Sequence, residues 1–388
     1  MYYNTIMSQM QDFIPRHHFE NLVERYMGDH YVKKFTCWHQ LSVMLYAQIS
    51  GKDSLRDIQG SFLAQSHKLY HLGLPIIKRS TLADANQTRD YRIYEGLFYK
   101  LSERCKDITP KHKFKFKNPL YSIDSTTIDL CLSMFDWAKF RTTKGAIKIH
   151  YQFDHSGNIP EFLTITDGKM HDMTAARSFF DIVADSIYCC DRAYNKYNWL
   201  YTIEQNKAFF VTRAKDNIKY TVIGQHTEPK KNNILSDEII SFTGFYQQQD
   251  YPKELRLIRY YDLETKRTFA FLTNNFHLSA YTIAQIYKAR WQIEIFFKWI
   301  KQNLKIKTFL GTSKNAVMTQ IWIAMCYYLL LSYIKYQSSY KKSISYLHRI
   351  IKTTILERLN LIDLLNLNEK ILSRVIHKEQ EPQLALNF

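Results

Sequence analysis

Apolar residues recur at two different periods along this chain. In the first hundred residues they return every three or four positions, as in WHQLSVMLYAQIS (38–50), which predicts helices joined by short turns. Gly51-Lys52-Asp53 breaks that helix, and Asp53 or Ser54 is placed to cap the next one. A third helix is expected from Ser80 or Thr81 through Cys105. From Tyr121 the period drops to two: LYSIDSTTIDLCLS, AIKIHYQFD and EFLTITDG read as strands, with Ser156-Gly157-Asn158 turning between the last two. A helix (MTAARSFFDIVA), a short apolar strand (SIYCCD), a second helix (NKYNWLYTIEQ) and another strand (KAFFVTRA) follow. Residues 215–266 are polar and tyrosine-rich with β-like runs such as ELRLIRYYDLE. RTFAFLTNNF then restores a strand before a long helix starting near Ser279. Residues 341–367 form an amphipathic helical pattern suited to core packing or dimerisation.

Three strands followed by alternating helix and strand is the order of a ribonuclease H-like α/β fold, a mixed sheet with flanking helices. The chain then divides into an N-terminal helical domain (1–110), an α/β domain (118–335) with a β-rich insertion at about 215–266, and a C-terminal helical region (336–388). Residues 316–334 carry no charge over a bilayer-compatible length. Thr319, Gln320, Ser332 and three tyrosines interrupt that run, so it reads as a buried helix of a soluble protein and no membrane is expected. The N-terminus lacks an apolar signal-peptide core. Six cysteines without CxxC spacing suit neither a disulfide framework nor a zinc site, and they point to buried thiols in a reducing compartment.

Charge changes the picture. The 388 residues hold 53 lysines and arginines against 36 acids, a formal net charge of +17, which points to a polyanionic partner, nucleic acid first. The basic pair Lys78-Arg79 at a helix start is in keeping with helix-turn-helix DNA binders and equally with an ordinary helical domain. In KHKFKFK (111–117) four lysines alternate with His112, Phe114 and Phe116. An extended chain would put the lysines on one side, either tracking a phosphate backbone or guarding a sheet edge.

The candidate chemistry lies in YKARWQIEIFFKWIKQNLK (287–305). Tyr287, Arg290, Glu294 and Lys301 stand at i, i+3, i+7 and i+14. On one straight helix they would share a stripe about 60° wide over roughly 20 Å. A carboxylate flanked by two cations and a phenol suits a metal held beside phosphates; a solvated face with an Arg290–Glu294 pair is the alternative. Asp124 sits mid-strand in YSIDSTTIDL, where an acid needs a partner, and Asp191 ends IYCCD. In this topology both aspartates reach one end of the sheet and a helix delivers Glu294, a hard-oxygen set for Mg²⁺ or Mn²⁺. Two such ions would serve phosphodiester transfer. Lys144, Lys148, Arg192 and Arg213 flank that site as candidate phosphate contacts. His171-Asp172 is placed to tune it or to cap a helix, and His150 and His155 are expected to be structural.

With these residues in view, the chain resembles a DDE transposase of the insertion sequence 4 family. The family's signature of Tyr, two residues, Arg, three residues, Glu, six residues, Lys is matched by Tyr287, Arg290, Glu294 and Lys301. IDSTTIDL, CDRAYNKY, FFVTRAKDN, FTCWHQLSVMLYAQISGKDSLRDI and STLADANQTR also fit, over about residues 15–335. The resemblance implies that Asp124, Asp191 and Glu294 bind two catalytic divalent ions, while Tyr287, Arg290 and Lys301 hold DNA phosphates. It further implies cut-and-paste transposition, an N-terminal domain on the terminal inverted repeats of double-stranded DNA, two protomers pairing two ends before joining to target DNA, and a bacterial, cytoplasmic, nucleoid-associated protein. Related members excise through a DNA hairpin with a flipped base held by an aromatic. No tryptophan lies between Trp199 and Trp291, so that task would fall to a residue such as Phe245, Tyr246 or Tyr251; Ala193 replaces the glycine expected after Asp-Arg. A nuclease of the same fold without strand transfer, and a domesticated non-catalytic DNA-binding protein, are the other readings.

Overall fold

The computed structural model describes residues 4–141, 144–226 and 232–366; the side chains of residues 139–141 and 144 lie outside this description. Among the described residues two compact units form, one from residues 4–101 with 322–366 and one from within residues 102–321.

The first unit is helical: α1 (Ile6–Gln11), α2 (Arg16–Arg25), α3 (Cys37–Ser50), α4 (Leu55–Ala64), α5 (Ser66–Leu69), α6 (Arg79–Thr88) and most of α7 (Arg92–Ile108). Ser54 caps α4, its hydroxyl accepting from the Asp57 amide at 3.1 Å. The single third helix expected after Lys78-Arg79 is two helices. Arg89 takes extended backbone (ψ 132°) because its buried guanidinium donates to Gln40 and to the Phe35 carbonyl. Asp90 then restarts the helix by accepting from the Arg92 amide at 2.9 Å. Tertiary demand at Arg89 overrides a sequence that is helical in pattern on both sides.

The second unit carries the sheet. Its strands are β1 (Leu120–Leu130), β2 (Lys139–Arg141), β3 (Lys144–Asp154), β4 (Ile159–Asp167), β5 (Ile187–Cys190), β6 (Phe209–Arg213), β7 (Tyr220–Gln225), β8 (Ile234–Phe242), β9 (Leu255–Asp262) and β10 (Arg267–Thr273). The order is β2-β3-β1-β5-β6-β10-β9-β8-β7, with β4 also on β3. β1 runs antiparallel to β3 and parallel to β5, which is parallel to β6. Gly157 and Asn158 have φ of 71° and 54°, two consecutive left-handed residues making the tight turn into β4. The sheet is mixed and flanked by helices, in agreement with an α/β class.

Helices α8 (Asp172–Phe179) and α9 (Tyr197–Gln205) cover one face; α10 (Phe245–Asp250) follows β8; α11 (Ala280–Ala289) and α12 (Trp291–Asn303) follow β10. Tyr121, Ile123, Tyr188 and Cys190 pack with Trp199, Leu200 and Ile203 of α9. Leu120, Ile187 and Cys189 pack on the other face with Ile283 and Ile286 of α11. The adjacent cysteines therefore face opposite ways, as period two requires, and all six cysteines are free thiols. The segment expected to be an insertion carries β7, β8, α10 and β9, and β10 bonds it into the main sheet as a continuous extension.

Two expectations fail on local geometry. Residues 111–117 pair with no strand and bend instead of running extended. The C-terminal amphipathic run is α14 (Ile344–Thr354) and α15 (Leu361–Asn366), and residues 367–388 lie outside the described residues. Before them comes α13 (Lys314–Gln337), long and apolar enough to span a membrane, but 94% of that window is buried inside the protein. Trp322 packs on Phe98 (ring centroids 5.3 Å), the Cys326 thiol donates to the Tyr94 carbonyl, and the Tyr327 hydroxyl meets His348 Nδ1 at 2.8 Å. Among the described residues, those from Trp322 to Asn366 group with the N-terminal helices, which differs from the expectation of one α/β domain running to 335.

The sheet extension is fastened by one buried ion pair. Arg256 on β9 is fully buried and grips Asp237 on β8 through two bonds of 2.7 and 2.6 Å, and it also donates to the Asn275 and Leu278 carbonyls. Arg256→Ala leaves Asp237 buried without its partner and should cost about 3–5 kcal/mol in urea unfolding. Arg256→Met with Asp237→Leu should recover most of that loss; equal losses in both variants would mean that volume, not charge, fastens this segment.

Candidate active site

Strand pairing decides where the two aspartates go. Ile123 stands opposite Cys190 in the parallel β1–β5 pair, so Asp124 and Asp191 occupy the next rung. Asp124 continues the alternate set Leu120, Ser122, and Asp191 continues Ile187, Cys189; both sets belong to the face covered by α11. Along β1, residues 120–123 are buried on both faces, and after Asp124 the pattern changes to alternate burial. Asp124 thus stands where the strand leaves the two-sided core. Asp191 opens a short turn, its carboxylate accepting from the Ala193 amide.

The long helix expected from Ser279 is broken at Arg290, between α11 and α12. The Arg290 amide bonds to the Tyr287 carbonyl (3.2 Å), and the Arg290 carbonyl takes the Ile293 amide (3.0 Å), so three-residue bonds replace four-residue ones. The physical cause is the side chain: Arg290 donates through Nη1 to Asp124 Oδ2 at 3.2 Å and through Nη2 to Glu294 Oε1 at 2.7 Å. It is buried, and its Nε has no hydrogen-bond partner. One guanidinium therefore ties a strand carboxylate to a helix carboxylate. Burial pushes the Asp124 carboxyl up to about 6; the Ser125 amide and Arg290 pull it down, and Asp191 and Glu294 add repulsion. Asp124 therefore lies within the field of both other carboxylates.

The break also corrects the single stripe. Tyr287 belongs to α11 and packs its ring on Phe271 (centroids 4.8 Å), where burial raises its hydroxyl to about 12. Glu294 and Lys301 share α12. Burial lowers the Lys301 ammonium, Lys307 adds to that, and Asp129 opposes it. Arg192 pairs with Asp216 at 2.8 Å, and Arg213 lies over the Phe269 ring (5.2 Å). Lys144 begins β3, and its side chain is outside the described residues.

The opposite face of β1 holds a network that the sequence did not reveal. Asp172 is the first residue of α8 and not its cap, a position held by His171. Its Oδ1 accepts from the Ser125 hydroxyl at 2.6 Å and from Lys148 Nζ at 2.8 Å, with His150 Nδ1 at 3.5 Å. His150 is buried and its Nε2 meets the Thr166 hydroxyl at 3.0 Å; buried His155 meets the Ser122 hydroxyl at 2.7 Å. Burial raises the Asp172 carboxyl, but the bonds from His150, Lys148 and Ser125 outweigh it and hold the group well below the usual range. The partners lie 22 to 47 residues from Asp172 in sequence, so no local spacing signals them.

Whether this arrangement fits a metal turns on its donors. Among the described residues no three acid, histidine or cysteine side chains already form a set at ligating separation. What stands there is a pair of carboxylates neutralised by Arg290, with Asp191 beside Asp124 on the neighbouring strand. Hard oxygen donors converging on a positive charge fit a hard divalent cation.

A family model described as the transposase DDE domain matches residues 115–330, more than half of the chain, and one for a domain of unknown function matches residues 3–75. A probable transposase for insertion sequence element IS5377 of Geobacillus stearothermophilus is 30% identical over 278 residues, 70% of this chain and 71% of that protein. The transposase y4zB of Sinorhizobium fredii is 34% identical over 258 residues, 64% of this chain and 69% of that protein. Among solved structures, a cryo-EM piggyBac transposase synaptic complex with hairpin DNA matches at 10% identity and a TM-score of 0.43, over 98% of this chain and 83% of that one.

The Asp172 network yields a pH test. A carboxyl held below its unfolded value contributes stability that is present above about pH 4 and lost as the pH falls toward the folded value. Asp172→Asn should cost about 1–3 kcal/mol in urea unfolding at pH 7, and the gap to wild type should narrow by pH 3. A gap of constant size across that range would show that the charge on Asp172 is not its source.

Proposed function

This chain belongs to the DDE transposase family, and on that premise we propose that Asp124, Asp191 and Glu294 are its catalytic carboxylates. The protein is a DNA transposase, an enzyme that cleaves and joins DNA. The observation that carries the assignment is the Arg290 bridge between Asp124 and Glu294, with Asp191 on the same rung as Asp124, one strand away. DDE domains work with divalent metal, and we assign two ions, Mg²⁺ or Mn²⁺, to these three side chains. Bound there, such ions would polarise the scissile phosphate and ease the charge on the entering and leaving oxygens.

The chain's own groups divide the remaining work. Arg290 and Lys301 offer charge to phosphates near the reacting bond, and Arg290 can exchange one of its two carboxylate partners for a phosphate oxygen. Tyr287 holds the end of α11 against β10 and so sets where α12 starts. On the other face of β1, Ser125 and Asp172 fix the backbone beside Asp124. Arg192 and Arg213 are assigned to DNA contacts at the rim, as is Lys144. We read β4-β3-β1-β5-β6 as the ribonuclease H-like core, and the Tyr287, Arg290, Glu294, Lys301 spacing as that of the insertion sequence 4 group. The N-terminal helices are assigned to the terminal inverted repeats, with two protomers pairing two ends of an element before joining to target DNA in the bacterial nucleoid.

If excision passes through a hairpin, the aromatic candidates narrow. Tyr251 is fully buried and bonded to Glu204, whereas Phe245 and Tyr246 are 77% and 79% exposed and stack edge-on. A stacking platform needs an open face, so Phe245 and Tyr246 carry that role.

The decisive experiment is Mg²⁺-dependent cleavage of linear DNA bearing the element's own ends, compared between wild type and Glu294→Gln or Asp124→Asn. Either substitution should lower the rate about a thousandfold, equivalent to about 4 kcal/mol, with end binding in a gel shift unchanged. Equal cleavage by wild type and Glu294→Gln would remove Glu294 from the site.

A further inference from the structure

Residues 111–117 present four lysines that the carboxylate site does not use. Lys111, Lys113, Lys115 and Lys117 are exposed, while the intervening His112, Phe114 and Phe116 are half-buried. The three rings hold one another: His112 to Phe116 at 4.7 Å, and Phe114 to Phe116 at 5.2 Å and nearly parallel. Phe114 and Phe116 pack against the cluster of Leu120, Ile187 and Val211 under α11, and His112 Nε2 is 2.8 Å from the Asn118 carbonyl. The backbone is thereby pinned beneath four exposed lysines, of which Lys113 carries its ammonium over the Phe114 ring at 5.8 Å.

Two ordinary explanations for such a run fail here. Lysines guard the exposed edges of sheets, but this segment bends and pairs with no strand. Surface lysines are commonly neutralised by neighbouring acids, but among the described residues none of these four makes an ion pair. The segment's end is fastened as well: the Asn118 side-chain amide donates to the Asp185 carbonyl, and the Asp185 amide donates to the Lys207 carbonyl. Asp185 is the one acid in that chain of contacts.

We propose that Lys111, Lys113, Lys115 and Lys117 form a sequence-independent binding strip for the phosphate backbone of duplex DNA, separate from the carboxylate site. The strip enters the sheet at Leu120, the start of β1, whereas Asp124 lies about 13 Å further along the strand and Asp191 at the far end of β5. It lies on the α11 face, the face that also carries the two aspartates. At about 3.4 Å per base pair that separation spans about four base pairs, so the strip holds a stretch of DNA away from the reacting bond and adds affinity without reading bases.

Full-length protein with all four lysines changed to glutamine, and a second variant with all four changed to arginine, would be titrated against a fluorescent 30-base-pair duplex of arbitrary sequence across a salt series. Thermal melts check the fold of each. Each phosphate contact contributes about 0.9 to the slope of log affinity against log salt, so glutamine should lower the slope by about 2–4 and weaken binding at least tenfold near 0.1 M salt. Arginine should keep both near wild type. Unchanged slope and affinity in the glutamine variant would overturn the proposal, as would an equal loss in the arginine variant, since charge would then not be the cause. Altered self-association with unchanged DNA affinity would assign the strip to a protein partner and overturn it too.

Discussion

A single buried guanidinium holds the functional end of the sheet together. Arg290 stands between a carboxylate on β1 and one on α12, and Asp124, the more buried of the two, could not hold its position at comparable cost without that cation. Arginine suits this task because it stays charged when buried and offers two donor directions in one plane. The demand is strong enough to break a helix: the chain from Ala280 to Asn303 is helical in pattern throughout, yet its hydrogen bonding shortens at Arg290. The break in turn sets the direction of α12, and hence where Glu294 meets the sheet. Local regularity is given up to satisfy a long-range ion triad.

That trade explains which parts of the site could be read in advance. The period-two pattern around Asp124 and the short apolar run ending in Asp191 were legible because a strand's side chains alternate whatever surrounds it. The i, i+3, i+7, i+14 spacing was legible as a motif, but its geometry was not, since a straight helix was assumed where Arg290 makes a joint. Arg89 repeats the lesson in the N-terminal unit, where a buried arginine splits another helical pattern. In both places pairing across the fold prevailed over local propensity. Asp172 was legible as an acid at a helix start, which suggested a cap; its partners Ser125, Lys148 and His150 come from β1 and β3, and only the sheet register brings them together. The lysine alternation at 111–117 was visible too, but an extended strand and a pinned bend give the same one-dimensional pattern.

The basic excess separates into two populations. Some cations are committed internally: Arg256 to Asp237 and Lys148 to Asp172. Their charge is spent on the fold and contributes little field outside it. The lysines at 111–117 are of the other kind, exposed and with rings beneath them holding their backbone in place. A net charge of +17 says only that a polyanion is attracted; the ion-pair pattern says which groups are free to meet it.

The two faces of β1 are coupled through one dipeptide. Asp124 points to α11 and α12, and Ser125, the next residue, points to α8, where its hydroxyl is held by Asp172. Successive residues of a strand cannot move independently, so a displacement of Ser125 toward or away from α8 tilts the peptide plane that carries Asp124. The Ser125 amide itself donates to the Asp124 carboxylate at 2.8 Å, closing the link. Asp172 is anchored by Lys148 on β3, two strands away from Asp191, which extends the brace across the sheet. The placement of Asp124, one of the carboxylates proposed as catalytic, thus rests on polar groups behind the sheet as much as on the ion triad in front of it.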